Sequence, residues 1–139
     1  MARRRASYGA MLAAAGLAGC GGGGHRTDVC SNADGALSRA AFVFVQTPVS
    51  GERVSSGFRV SGCSSTFEGN VVWLLRGRSG RVLAHGHTQG GSAQPGAFAF
   101  TVAYSVTAQQ VGQVTVSEPV VTSEGYPPVR DVLPLVLGA

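Results

Sequence analysis

Lysine is absent from this 139-residue chain, and aromatic and charged residues are scarce at 7% and 13%. All 11 basic residues are therefore arginines. Three cysteines and three histidines leave little material for a metal cluster. No apolar run approaches the roughly 20 residues that a membrane-spanning helix needs. The length suits one domain, and the hydrophobic fraction of 44% excludes a disordered tail.

The formal charge of +4 is concentrated at the start of the chain, where residues 3–5 are all arginine. Without the first 19 residues, eight arginines (11 − 3) face seven acids, which leaves +1. Nucleic-acid binding needs a basic stripe on the folded part, because neutralised phosphates supply most of the affinity. Arg76, Arg78 and Arg81 form one small cluster around a single turn. We therefore expect no nucleic-acid partner.

The first 19 residues have the layout of a secretory signal peptide. Residues 1–5 are a positive n-region, and residues 6–19 are a short apolar stretch that ends in small residues. The next residue completes Leu17-Ala18-Gly19-Cys20, which resembles the lipobox of bacterial lipoproteins. That resemblance implies lipidation of Cys20, with palmitate among the acyl chains. The alternative is an ordinary signal peptide cleaved nearby.

Residues 20–40 read as a tether between this lipid and a folded domain at 41–139. Gly21–Gly24 cannot offset the entropy of ordering, so we expect a flexible segment. Gly21 is not the aspartate that retains lipoproteins in the inner membrane, so sorting rules imply the outer membrane in a two-membrane bacterium. In a one-membrane cell they imply the outer face of the plasma membrane.

From residue 41 onward, short Val- and Phe-rich runs recur between Gly, Pro and Ser clusters, which predicts an all-β fold. About seven strands in some 100 residues suit an antiparallel immunoglobulin-like β-sandwich, and a small barrel is the structural alternative. The predicted strands are residues 41–46, 53–62, 70–76, 81–87, 97–106, 111–117 and 129–137.

Alternation within these runs predicts which side chains form the core. Ser79-Gly80 predicts a hairpin turn between the third and fourth strands. Pro134 predicts an edge position or a bulge in the last strand. The predicted core residues are Phe58, Val60, Val71, Trp73, Leu75, Phe98, Phe100, Val102, Val114 and Val116.

Five short motifs follow one another in the first half of the predicted domain: Thr47–Gly51, Val54–Ser56, Phe58–Gly62, Phe67–Val71 and Gly80–Ala84. In their order and gaps they resemble the immunoglobulin-like domain associated with bacterial spore germination. Gly96, Phe98 and Tyr104 fit the later part of that family's pattern, so the resemblance covers about residues 45–137. Gly57 stands where the family often has proline, and Cys63 where it has a small apolar residue; we expect neither to disturb the strands.

The resemblance implies an extracytoplasmic, non-catalytic module, without implying that the organism sporulates. We accordingly expect a lipid-anchored interaction or structural domain of the cell envelope, with an envelope protein or the cell wall as partner. A carbohydrate- or peptidoglycan-binding module is the alternative, and a small hydrolase is a third reading.

Cys30 and Cys63 remain after lipidation of Cys20, and an exported protein seldom keeps two free thiols. We expect a disulfide between them, which would join the far end of the tether to the second predicted strand. The alternative is two separate thiols, with Cys63 as a small buried residue.

The other chemically active residues favour no catalytic or metal site. His85 and His87 share one strand face, but a zinc site needs three or four protein ligands, and no third Cys, His or acidic residue is an evident ligand. Glu68 follows Phe67, and we expect it to accept backbone N–H bonds where the chain turns. We expect no cofactor.

Aromatic residues are the material for a sugar platform. Trp73 and Tyr104 would form such a platform if exposed, although Trp73 alternates with core residues. Tyr126 beside Pro127 is a further candidate.

Four acids besides Glu68 are predicted to be solvated: Glu52, Glu118, Glu124 and Asp131.

Overall fold

The computed structural model describes residues 30–32, 34–120 and 127–139, and its regular elements are β-strands apart from one turn of 3-10 helix at Phe67–Gly69. No helix among these residues is long and apolar enough to cross a membrane. The predicted signal peptide, Cys20, Glu124 and Tyr126 lie outside the described residues. The strands are β1 Phe42–Thr47, β2 Arg53–Val54, β3 Phe58–Ser65, β4 Asn70–Arg76, β5 Val82–Gln89, β6 Gly96–Val102, β7 Gln110–Ser117 and β8 Arg130–Leu137.

Two sheets face each other, as the sequence predicts for a sandwich. One has three strands in the order β1-β3-β6, and the other has five in the order β2-β8-β7-β4-β5. Neighbouring strands are antiparallel except for the short parallel pair of β2 with β8. The predicted all-β sandwich is confirmed.

The second predicted strand, residues 53–62, is in fact two strands in different sheets. Gly57 separates them with φ +90°, a conformation that side-chain-bearing residues avoid. The N–H of Gly57 donates to the Val102 carbonyl at 2.8 Å, and that of Phe58 donates to the Ser55 carbonyl at 3.1 Å. The prediction of a single strand over residues 53–62 is therefore wrong. The turn moves the chain from one sheet to the other, so the described residues form eight strands instead of seven.

The core lies between the sheets and follows the predicted alternation. Seven of the ten predicted core residues are buried, and Phe58, Trp73 and Phe100 are half-buried against them. Trp73 of β4 stacks on Phe100 of β6, with ring centroids 4.7 Å apart and planes 4° from parallel. This stack joins the two sheets. Residues that complete the buried core without having been predicted are Val45, Val54, Leu133, Leu135 and Leu137.

Pro134 lies in β8 at a point where β7 pairs with one side of the strand and no strand pairs with the other. The Pro134 carbonyl accepts the N–H of Gly51 at 2.8 Å, so its ring nitrogen points to that same side, away from β7. β2 covers β8 only at Val136 and Leu137. The missing N–H of proline therefore costs no ladder bond with β7.

Tyr104 fastens β2 to the end of β8. Its hydroxyl lies 2.9 Å from the Val54 carbonyl oxygen and 3.0 Å from that of Gly138. Its ring packs edge-on to Phe58, with centroids 6.1 Å apart. Burial raises the pKa of Tyr104 above its ordinary value of 10.0.

We expect Tyr104→Phe to lower the free energy of unfolding by about 1 kcal/mol at neutral pH, because one neutral hydrogen bond is lost. Since the folded pKa is raised, the wild-type phenol contributes stability below its unfolded pKa, and that contribution is lost as pH rises through the folded pKa. Urea unfolding at neutral and alkaline pH would measure both effects. Equal alkaline losses in the two proteins would contradict this role of Tyr104.

Residues 30–40, predicted as the end of the tether, are fastened to the sandwich. Cys30 and Cys63 are joined in a disulfide, with Cα atoms 5.4 Å apart. Short hydrogen-bonded turns follow: the N–H of Leu37 donates to Asn32 Oδ1 at 2.7 Å, and Asn32 Nδ2 donates to Ser38 Oγ at 3.0 Å. This segment leads directly into β1 and covers the outer face of β3 at Cys63, which is fully buried.

Candidate functional site

An open cleft lies at one end of the sandwich, where the β3–β4 turn, the β5–β6 connection and residues 39–41 meet. Its volume is about 570 Å³. We call it the Phe67 cleft, because the Phe67 side chain in its wall is 67% exposed. Its polar and aromatic lining comprises Arg39, Ser65, Thr66, Phe67, Glu68, Ser92 and Glu118.

Phe67 lies on a turn that is held by hydrogen bonds of the residues on either side of it and of the chain after β5. Thr66 is buried, and its hydroxyl donates to the Asn70 carbonyl at 2.8 Å. The N–H of Gly69 donates to the Thr66 carbonyl at 3.1 Å, and the Gly69 carbonyl accepts the N–H of Gly90 at 2.8 Å. The turn is thus hydrogen-bonded to the start of β4 and to the chain just after β5, so the exposed ring has a rigid base.

Glu118 holds the other side of this turn. Its Oε1 accepts the backbone N–H of Phe67 at 2.8 Å, while its own backbone N–H donates to the Val129 carbonyl at 3.0 Å. The carboxylate thereby joins the β3–β4 turn to the chain that leaves β7. Glu118 also lines the cleft.

Two non-glycine residues of the cleft have left-handed backbone conformations. Arg39 has φ +71° and Glu68 has φ +55°. Such conformations cost about 1 kcal/mol or more each and persist where the surrounding structure imposes them. Because both residues line the same cleft, this end of the molecule is the leading candidate for function.

The cleft combines one guanidinium, two carboxylates and an exposed phenyl ring. Glu68 Oε2 lies 3.5 Å from Asn70 Nδ2, and Gln89 Nε2 donates to Asn70 Oδ1 at 2.8 Å, so the carboxylate of Glu68 belongs to a small exposed network. The predicted role of Glu68 as acceptor of backbone N–H bonds belongs instead to Glu118. Such a surface suits contact with a ligand that has both apolar and polar groups.

Three of the acids that the sequence predicts to be solvated also accept a backbone N–H, and Glu52 is exposed as expected. Besides Glu118, Glu52 Oε2 accepts the N–H of Val49 at 2.9 Å, and Asp131 Oδ2 accepts that of Val45 at 2.8 Å. Asp131 is in β8 and Val45 is in β1, so this bond links the two sheets. Nothing in the sequence pattern predicts these hydrogen bonds.

His85 and His87 are both exposed on β5, on the face that the strand spacing predicts. They pair across the sheet with Leu74 and Val72. Over the described parts of the chain, no three His, Cys, Asp or Glu residues are grouped to hold a metal ion. His85 and Glu68 line separate depressions of the surface.

Trp73 and Tyr104, the candidates for a sugar platform if exposed, do not form one. The indole of Trp73 packs against the core, as its alternation predicts, and stacks on Phe100 with its Nε1 buried, while the Tyr104 hydroxyl is hydrogen-bonded. Phe67 is an exposed aromatic residue at this end, and the sequence analysis did not single it out. Its position two residues before Gly69, in a short connection between strands, was the available signal.

A family model supplies the decisive comparison. The model of the immunoglobulin-like domain of bacterial spore germination matches residues 42–122. The chain belongs to this family. The comparison with curated proteins and that with solved structures gave no match.

The match to this immunoglobulin-like family confirms the resemblance seen in the sequence. It begins at the first residue of β1 and extends past β7, so it includes the Phe67 turn and Glu118. β8, which lies between β2 and β7 and completes the larger sheet, is beyond the matched residues.

Proposed function

We propose that this protein is a non-catalytic, lipid-anchored interaction module of the bacterial cell envelope, with the Phe67 cleft as its contact surface. The observation that carries the proposal is the exposed phenyl ring on a turn fixed by Thr66, Gly69 and Glu118. An immunoglobulin-like family and a rigid, exposed apolar group at a loop end together favour binding over catalysis.

The anchor is supported by the leader and lipobox that end at Cys20. Burying acyl methylenes contributes about 0.8 kcal/mol each, so several chains attach a protein stably. Export would place the domain outside the cytoplasm, on the outer face of the plasma membrane or at the outer membrane of a two-membrane cell. An oxidising compartment is also where a disulfide such as Cys30–Cys63 persists.

We expect Cys20→Ser to abolish incorporation of labelled palmitate and to release the protein from the membrane fraction, because the acylated thiol is lost. Metabolic labelling followed by flotation of membranes measures both effects. Cys30→Ser is the matched control, since it removes a cysteine outside the lipobox and should leave labelling intact. Palmitate labelling of the Cys20→Ser protein would refute the anchor.

A further inference from the structure

We propose that the Phe67 end of the sandwich lies against the bilayer that carries the lipid anchor, with Phe67 and Val120 entering the membrane interface. This inference rests on the lipid anchoring proposed above, and it names the partner of the Phe67 cleft: the membrane surface itself. Three observations support it, namely the chain length between lipid and domain, the place of attachment, and the chemistry of the exposed surface.

The chain between anchor and domain is short. Cys20 and Cys30 are ten residues apart (30 − 20) in the sequence. A chain spans at most about 3.3–3.6 Å per residue when fully extended, so Cys30 stays within roughly 35 Å of the lipidated residue. Without the disulfide, the first fixed residue would be Phe42, 22 residues from Cys20 (42 − 20), and the limit would roughly double.

The disulfide attaches this chain nearer to the Phe67 end. Cys63 is two residues from the end of β3 at Ser65, which leads into the Phe67 turn, and five residues from its start at Phe58. At about 3.3 Å per residue, those separations are roughly 7 and 17 Å. The turn containing Val49 follows the far end of β1 and lies with Phe58 at the opposite end of the sandwich. A short connection therefore favours the Phe67 end facing the membrane.

The surface at this end suits an interface. Phe67 is 67% exposed and Val120 is 70% exposed. Val120 is two residues beyond Glu118, the residue that binds the Phe67 turn. Among the described residues, two arginines and two carboxylates lie at this end: Arg39, Glu68 and Glu118 line the cleft, and Arg130 pairs with Ser117 at the end of β7. Aromatic side chains are favoured at membrane interfaces, where an apolar body can leave water.

Two tryptophan substitutions test this orientation in the full-length lipidated protein. Phe67→Trp and Val49→Trp each add an indole at an exposed apolar position, since Val49 is 61% exposed. The proteins would be reconstituted into vesicles of phosphatidylethanolamine and phosphatidylglycerol containing a lipid brominated on its acyl chains. Wild-type emission from Trp73 is subtracted from each.

We expect about a twofold loss of the added emission in Phe67→Trp and almost none in Val49→Trp, because interfacial groups sit roughly 5–10 Å into the headgroup–acyl boundary. Equal quenching in both variants, or none in Phe67→Trp, from protein that still floats with the vesicles would overturn the orientation and leave the anchor standing. Protein that does not float would overturn both. Emission of Phe67→Trp that responds to soluble peptidoglycan fragments but not to brominated lipid would also overturn the membrane contact, in favour of a glycan ligand.

Discussion

Replacing Phe100 by alanine is expected to lower the free energy of unfolding by about 3 kcal/mol, a large share of a small domain's stability. The Phe100 ring packs against the core and stacks on Trp73, and its centroid lies 6.2 Å from that of the Phe98 ring. Truncation removes both the apolar burial and the stack that links β4 to β6. Urea unfolding followed by circular dichroism would measure the loss.

Thr101→Ala is the matched control for this change. Thr101 is the next residue of β6 but is exposed on the other face, so its truncation should alter stability by less than about 0.5 kcal/mol. In the wild-type protein, Trp73 emission should be blue-shifted and poorly quenched by iodide. Similar stability losses for Phe100→Ala and Thr101→Ala, or strong iodide quenching of Trp73, would contradict the described register.

Removing both cysteines of the disulfide, as Cys30→Ser with Cys63→Ser, is expected to lower stability by about 3–4 kcal/mol. The bond joins residues 33 apart in sequence, and closing a loop of that length removes conformational entropy from the unfolded chain. Chemical denaturation of the double variant and of the wild type would give the difference.

Thiol titration supplies the independent check on that bond. The mature wild-type protein, unfolded without reductant, should show no free thiol. Two titratable thiols would refute the disulfide, and a stability difference below about 1 kcal/mol would contradict the expected contribution of the bond.

Much of the fold could be predicted because the sandwich core depends on local alternation. Phe98, Phe100 and Val102 lie at every second position of one strand, and Val114 and Val116 do the same on another. A strand with one buried face must place such residues on the same side, so alternation alone identifies the inward face.

The contacts missing from the sequence analysis are those between distant residues. Glu118 meets Phe67 across 51 positions, Asp131 meets Val45 across 86, and Tyr104 meets Val54 across 50. These contacts depend on the order of the strands in the two sheets. Alternation identifies the inward face of each strand but does not give that order. The split at Gly57 was missed for a related reason, since the residues on both sides of it continue an apolar pattern.

The candidate site was the least predictable part. The exposure of Phe67 depends on how the β3–β4 turn packs on the β5–β6 connection. From sequence alone, a large apolar side chain next to a strand is predicted to be buried. Only the short distance to Gly69, which has φ +71°, indicates a turn at this point.

The attachment at Cys63 also decides how the domain carries a mechanical load. Force applied at Phe42 would act on the first residue of β1, which is paired with β3 alone, and would separate the two strands one hydrogen bond at a time. Force that enters at Cys63 acts within β3, between its pairings with Phe44 of β1 and Ala97 of β6. Two ladders then share the load. The covalent link would therefore protect the edge strand β1 from peeling under any force that enters through the residues before Cys30.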